Sequence, residues 1–551
     1  MFTLASLFSS ALSFFLVTHN YVGPTASLGD TTVVGISHNQ GATQAFLGIP
    51  FAKAPRFSPP APHEPYPKQI DATEYGPACI QQNVTATATQ AMLNVMALLN
   101  ITVPVPKSQH EECLSVNIIR PSTATPNSQL PVAVFIYGGG FLFGDSETWD
   151  AMGRLMVEKS IENREDTIFV SFNYRLSAYG FIAGSQVKAE HAGNIGLRDQ
   201  RAVLHWLQKH IGSFGGDPSK VILWGQSAGG TSASFQMLAY DGDNSDLFRG
   251  VFSQSGAPLP LGDIENGQHH FDDLAEKAGC GEENDKLLCL RTVPLESLRA
   301  AVDATDSFLS NKTLVLSWPP RADGEFLTDT PYQLIQDRKI AQVPLVIGNV
   351  DDEGTLFSLP TLGQIVNGPG FTSWVRAIWA PDLTDPETRS LSVHYPNNVF
   401  SGSPFDTGLN NTLNNTQYKR VSAFQGDMVF QAPRRFFAHE LSQAGRDNVW
   451  VYLSKQYKAT PVMGSSHGSD VNVNNGIYLM NEHVSKFANY LNPNLGGNSI
   501  IWPTYDHTDP QLYLFPKEDD GGNKPPPQIA NDDHRALPFA FLTELAKKYP
   551  L

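Results

Sequence analysis

Basic residues are scarce in this chain: 38 Lys and Arg stand against 54 Asp and Glu, a formal charge of −16 over 551 residues. Nucleic acid and anionic membrane surfaces repel such a protein, so neither is expected as a partner. Cysteine is equally sparse, limited to Cys79, Cys113, Cys280 and Cys289. None sits in a C-x-x-C pair and no histidine cluster accompanies them, so no metal site and no cofactor is expected. An even number suits pairing in an oxidising compartment, with three connectivities open. Internal repeats and low-complexity linkers are missing, which argues for one large domain rather than several. Hydrophobic residues at 41% and charged residues at 17% are enough for a sizeable core.

Long apolar runs are missing too, except at the start. Met1 to Val17 is uncharged, lacks the basic residue of most leader peptides, and is too short for a convincing membrane span. It reads as a secretory signal over about residues 1–26, cut between Thr18 and Leu28, leaving a single domain over 27–551 with no transmembrane anchor. Sequons at Asn83, Asn100, Asn311, Asn410 and Asn414 agree with secretion, although a chain rich in Asn, Ser and Thr carries about as many by chance. A last absence is local: residues 80–112 contain no Phe, Tyr or Trp. An aromatic cation site is therefore unlikely there. The centre of that stretch, Met92 to Leu99, is aliphatic with helix-compatible spacing. It is a candidate lid, with Met92 and Leu98 offered to acyl chains, against the alternative of a helix that completes the core.

What is present is an alternation of strands and helices. Val132–Tyr137, Ile168–Asn173, Val221–Trp224, Gly250–Ser253, Val343–Gly348 and Val449–Leu453 read as buried strands. Residues 43–60 read as a Pro-rich extended stretch, and Gly196–Ser213 as a helix ending at Gly215-Gly216-Asp217-Pro218. The pattern predicts an α/β fold with a large, mostly parallel sheet covered by helices. Sites in such sheets lie at the carboxyl ends of strands.

The candidate motifs fall at those ends. Gly225-Gln226-Ser227-Ala228-Gly229 follows the run Val221–Trp224 and reads as strand, sharp turn and helix start. That turn lifts a Ser hydroxyl clear of the sheet, and the helix start directs N–H groups at a developing oxyanion. The glycine run Gly138-Gly139-Gly140 follows another strand and frees backbone N–H groups to face one point. A nucleophilic Ser needs a base, and the base needs a partner that fixes its tautomer. Asp351, Asp352 and Glu353 lie just past the strand at 343–348, and composition does not choose among them. Of the histidines that follow, His467 alone lies in a glycine-flanked loop soon after a strong strand.

The motifs taken together resemble the type-B carboxylesterase/lipase family of α/β-hydrolases. Glu112-Cys113-Leu114-Ser115-Val116-Asn117, Gly138 to Phe141, Asn173-Tyr174-Arg175, Gly193 to Gln200, Phe214 to Pro218 and Gly225 to Gly230 stand in the family's order. Arg321 to Gly324, Asp352 to Phe357 and Ser403 to Gly408 are similar to its fungal branch of Candida rugosa-type lipases and sterol esterases. The resemblance implies nucleophile Ser227, acid Glu353, base His467 and oxyanion donors Gly139, Gly140 and Ala228. It also implies disulfides Cys79–Cys113 and Cys280–Cys289, Leu356 and Phe357 at the acyl pocket, and Ser255 near the acid. One departure stands out, since the family usually has Glu where this chain has Gln226. The implied activity is hydrolysis of carboxylic esters through an acyl-enzyme on Ser227, on an ester or lipid substrate. A catalytically inactive binding or adhesion protein, or a hydrolase of small aryl or cinnamoyl esters, is the alternative.

Overall fold

The computed structural model describes residues 23–38, 41–471, 479–496, 500–519 and 522–551. Its frame is an eleven-stranded sheet. In chain order the strands are β1 (Ile36–His38), β2 (Thr43–Pro50), β3 (Ser115–Pro121), β4 (Leu130–Ile136), β5 (Ile168–Phe172), β6 (Gly216–Gln226), β7 (Val251–Gln254), β8 (Leu345–Val350), β9 (Val449–Ser454), β10 (Gln511–Phe515) and β11 (Gln528–Asn531). They lie side by side as β1-β2-β3-β5-β4-β6-β7-β8-β9-β10-β11. From β5 across to β10 every pairing is parallel. The flanks, β1-β2-β3-β5 and β10-β11, are antiparallel.

The parallel centre matches the strands expected from the hydrophobic runs. Strands covered by helices on both faces cannot alternate apolar with polar, and β5, β7, β8 and β9 are buried at every position. The antiparallel flanks do not announce themselves this way. Thr43–Pro50, expected only as an extended stretch, is a full strand of the main sheet. Helix Ile195–His210 closes through a 3-10 turn at Ile211–Phe214, and Gly215 turns the chain at φ +92°. A helix over Ala228–Gly242 packs on β6 and β7, regular only as far as Leu238 because Ala239, Tyr240 and Asp241 leave helical geometry.

Both disulfides are sequential, Cys79–Cys113 and Cys280–Cys289, with Cα atoms 5.0 and 5.8 Å apart. The first ties the ends of the candidate lid. Inside it, helix Gln90–Leu98 starts at Thr89, whose hydroxyl accepts the Met92 N–H. Most of the expected leader falls outside the described residues. Thr25 and Ala26, which that reading included, begin a strand paired with Thr31–Val34. Among the described residues no helix is long and apolar enough to cross a membrane.

Candidate active site

The sheet delivers Ser227 directly. Strand β6 ends at Gln226, the helix begins at Ala228, and Ser227 between them sits at φ +58°, ψ −128°. Such a backbone costs on the order of 1–3 kcal/mol and persists only where its surroundings over-determine it. Here they do. The Ser227 N–H donates to the Gln254 carbonyl at 2.8 Å, and the helix crosses so close to β4 that a Cβ on Gly229 would lie 1.9 Å from the Ile136 carbonyl oxygen. A Cβ on Gly225 would lie 2.3 Å from the Gly229 oxygen. Glycine is obligatory at both places, and this explains the motif sterically.

Across from Ser227 the chain leaves β4 through Gly138-Gly139-Gly140. Gly139 and Gly140 have φ of +112° and +63°, the left-handed region that side chains avoid. With Ala228, at the first position of a helix whose leading N–H groups lack intrahelical partners, they border the same cavity as Ser227. That cavity holds about 290 Å³. Its walls are largely apolar, with Phe143, Phe308, Leu316, Phe357, Val429 and Phe430 among them.

His467 and Glu353 arrive on two other strand ends. His467, in the loop after β9, places Nε2 2.8 Å from Ser227 Oγ. Its Nδ1 lies 2.5 Å from Glu353 Oε2. Glu353 is almost wholly buried, and its other oxygen accepts from Ser255 Oγ (2.7 Å), the Val350 N–H (2.9 Å) and Asn349 Nδ2 (3.2 Å). Sequence left three carboxylates open. The geometry brings only Glu353 to the imidazole.

Asp351 and Asp352 turn the other way, onto Lys458. Its ammonium lies 2.5 Å from Asp351 Oδ2 and 2.6 Å from Asp352 Oδ2, and all three side chains are buried. Burial pushes Asp352 up, and the neighbouring Asp351 carboxylate adds to this. At Asp351 burial acts in the same sense but is outweighed by Lys458, Lys455 and Arg535, which hold it below the usual carboxylate range. Asp352 also fastens the histidine loop. Its Oδ2 accepts the Ser465 N–H at 2.8 Å, and its own N–H donates to the Ser465 carbonyl at 3.0 Å.

Further groups surround the imidazole, of which Phe430 and Asp470 escaped the sequence reading. The rings of Phe430 and Phe357 flank His467 at 4.6 and 5.2 Å between centroids. Gln226 brings Nε2 to 3.4 Å from His467 Nε2 and lines the cavity, so its neutral amide stands where the family usually has a carboxylate. Asp470 is fully buried behind the loop, accepting from Gln254 Nε2 (3.0 Å) and Tyr452 OH (2.9 Å), and burial pushes its carboxyl up. Phe430 and Lys458 carried no local motif, whereas Asp470, three residues past His467, could have been suspected.

Leu356 and Phe357 border the cavity, whereas Met92 and Leu98 do not. Met92 packs into the core, whereas Leu98 stands 72% exposed. The reason is helical phase: Met92 and Met96 share the inward face, whereas Leu98, two positions on, falls on another. From this segment it is Pro104 that reaches the cavity.

The chain is similar to known proteins over most of its length. The chain is 38% identical over 518 residues to Lipase 4 of Diutina rugosa, covering 90% of this chain and 92% of that one. It is 36% identical over 517 residues to Secreted lipase 1 of Botryotinia fuckeliana, covering 89% of each. The crystal structure of Aspergillus niger EstA superposes with a TM-score of 0.79 at 23% identity, over 96% of this chain and 99% of that one, which shows the α/β-hydrolase fold. A model of the Carboxylesterase family matches residues 25–524, and with relatives this similar over most of its length the chain belongs to that family and is a carboxylic-ester hydrolase.

Proposed function

We propose that this protein is a secreted serine esterase acting on lipid-like carboxylic esters, with Ser227 as nucleophile, His467 as base and Glu353 as acid. One observation carries the reading: Ser227 Oγ, His467 and Glu353 form an unbroken hydrogen-bond relay of 2.8 and 2.5 Å at the mouth of an apolar cavity. Ser227 Oγ attacks the ester carbonyl as its proton passes to His467 Nε2. The Glu353 carboxylate faces Nδ1, fixes the tautomer and stabilises the imidazolium that forms. The oxyanion is received by the N–H groups of Gly139, Gly140 and Ala228, whose positions are set by backbone and need no reorganisation. His467 then gives its proton to the leaving alkoxide, and water reverses the sequence on the acyl-enzyme.

An aliphatic and aromatic cavity favours acyl chains over charged groups, and the relatives named lipases point the same way. Secretion is supported by the apolar start of the chain, the two disulfides and the relatives named as secreted. Asn83, Asn100, Asn311, Asn410 and Asn414 are all exposed, as glycan acceptors must be. Residues 80–112 form the lid in this reading, hinged at Cys79–Cys113 and with Pro104 at the cavity.

The test is labelling with a fluorophosphonate, read by mass spectrometry, beside hydrolysis of p-nitrophenyl esters of increasing acyl length. Adduct on Ser227 and turnover that rises with chain length are expected. Activity without an adduct on Ser227 would overturn the assignment, and a preference for acetyl esters would overturn the lipid-like substrate.

A further inference from the structure

A fully buried arginine stands one residue behind the acid. Arg434 has no exposed surface, and neither does its ion-pair partner Asp532. Its Nη2 donates to Asp532 Oδ1 at 3.0 Å, its Nη1 to the other oxygen, and Asp532 also accepts from Arg435 (2.8 Å) and Tyr505 OH (3.1 Å). Burial opposes the charge on Asp532, but Arg434 and Arg435 outweigh it and hold the carboxyl below its usual range. Buried ion pairs of this kind are poor stabilisers, because desolvation offsets much of their attraction. The use of this one lies in the guanidinium nitrogen left over. Arg434 Nε donates to Asn349 Oδ1 at 3.1 Å, and Asn349 Nδ2 donates to Glu353 Oε1 at 3.2 Å.

We propose that Arg434 and Asn349 are positioning residues for the acid: Arg434 locks the Asn349 amide in the orientation that presents N–H, not C=O, to the Glu353 carboxylate. The inference rests on the reading of Glu353 as the triad acid. An asparagine side chain is two-faced, with a donor and an acceptor of nearly equal size. Turned over, Asn349 would set an oxygen against a carboxylate oxygen, and Arg434 Nε–H would face an NH₂ group. Asp532 holds the guanidinium from behind and Arg434 is a donor only, so the whole chain has one polarity. With this amide in place, Glu353 Oε1 has three donors, and Oε2 is left to His467 Nδ1.

The consequence is a pH signature. Stripping a donor from the carboxylate makes it a stronger base and a stronger partner of the imidazolium, so Glu353 and His467 both hold their protons to higher pH. The acid limb of the kcat/KM profile then moves up. Other ionisable or charged groups near the pair are Asp470, bonded to Gln254 and Tyr452, Tyr452 itself, and Asp351 and Asp352, which face Lys458. Neither substitution used below touches any of them.

The experiment measures pH profiles and melting temperatures of Asn349→Leu, Arg434→Lys and the double variant, with Glu353→Gln as reference. Leu matches the shape of Asn but donates nothing. Lys keeps the charge on Asp532 but loses the guanidinium Nε. Asn349→Leu is expected to lower kcat about tenfold and raise the acid limb by about one pH unit, with KM unchanged, as loss of a hydrogen bond to a charged group implies. Arg434→Lys should move the limb the same way by less, and the double variant no further than Asn349→Leu alone. Should Asn349→Leu not accumulate as folded protein, Arg434→Lys supplies the same test. An unmoved limb in folded single variants, or a shift from Arg434→Lys that persists on top of Asn349→Leu, would overturn the proposal. Glu353→Gln separates the two levels: a loss there below tenfold overturns the acid assignment and this inference together. A severe loss there beside an unmoved limb elsewhere overturns this inference alone.

Discussion

Ser227 and His467 reach one cavity by opposite means. Ser227 is held by backbone: a strand, a turn, a helix start, and glycines where any Cβ would lie 1.9 and 2.3 Å from carbonyl oxygens of the neighbouring strand and the same motif. His467 and Glu353 are held by side chains recruited from far along the chain. Lys458 spans 106 residues to Asp352, Ser255 spans 98 to Glu353, and Arg434 reaches back 85 to Asn349. A backbone scaffold is rigid, local and intolerant of any Cβ. A scaffold of buried charges is long-range, sensitive to pH, and vulnerable to loss of one partner.

The sharpest break in that comparison is at the nucleophile. Ser227→Ala should lower ester hydrolysis by on the order of 10⁴–10⁶ with a nearly unchanged melting temperature, because the change removes only a half-buried hydroxyl. His467→Ala should be nearly as severe. Gly229→Ala is the complementary test of the scaffold. It should abolish activity and also lower stability, since its Cβ meets backbone that cannot yield. Unaltered melting of Gly229→Ala would show that the close crossing is not maintained.

On the other side the largest effect should come from Lys458→Met, which leaves Asp352 buried without its cation and Asp351 with only Lys455 and Arg535 nearby. The expected cost is about 3–5 kcal/mol at neutral pH. The sign of its pH dependence follows from which state binds protons. Asp352 already lies above its ordinary value, and without Lys458 it rises further, so the folded variant takes up a proton there first as pH falls. Its stability should therefore rise from pH 7 towards pH 5. In the wild type Asp351 lies below its ordinary value, and the stability it contributes is present at neutral pH and lost only as pH falls below about 4. Thermal melts of both proteins between pH 4 and 8 check this, and parallel curves would show that Lys458 is not what neutralises the pair. Activity divides the neighbours further. Glu353→Gln should cost far more turnover than Asp352→Asn, which loosens the histidine loop but leaves the relay intact.

Legibility followed the same division. The G-x-S-x-G turn, the glycine run and the parallel strands could be read because each is a local pattern with a local physical cause. Glu353 could not be separated from Asp351 and Asp352 by composition, because what distinguishes them is which way each side chain turns and whether it meets Lys458 or His467. Resemblance to a family pointed to Glu353 where the physics of the sequence left the choice open. Neither route revealed the amide of Asn349 or the guanidinium of Arg434, since a two-faced side chain has no orientation until its neighbours are placed. The antiparallel strand Thr43–Pro50 was read only as part of an extended stretch for a related reason: nothing local marks it as a member of the main sheet until Ser115–Pro121 pairs with it.

Gln226 offers a finer test of how the base is tuned. Its amide lies 3.4 Å from His467 Nε2, close enough for a carboxylate in its place to favour the protonated imidazole. Gln226→Glu should raise the acid limb of the kcat/KM profile by about one pH unit, the size of one close charge interaction. An unchanged or lowered limb would mean that position 226 does not act on the imidazole electrostatically.

The smallest structural effect, and the one most telling about substrate, belongs to Leu98. The segment between Cys79 and Cys113 has two faces: Met92 and Met96 are buried, while Leu98 and Val105 stand 72% and 83% exposed. Surface substitutions away from packing usually change stability by less than about 0.5 kcal/mol, so Leu98→Asp should melt with the wild type. It should also leave hydrolysis of short soluble esters untouched, because Leu98 is not part of the cavity wall. If the segment is a lid whose outer face meets lipid when it opens, the added charge should still depress turnover of long-chain emulsified esters several-fold. Met92→Asp, by contrast, should destabilise the fold and lower both activities together, because it places a charge in the core. Equal rates of Leu98→Asp and wild type on emulsions would remove the exposed face from the substrate's path and leave residues 80–112 as a packed cover on the core.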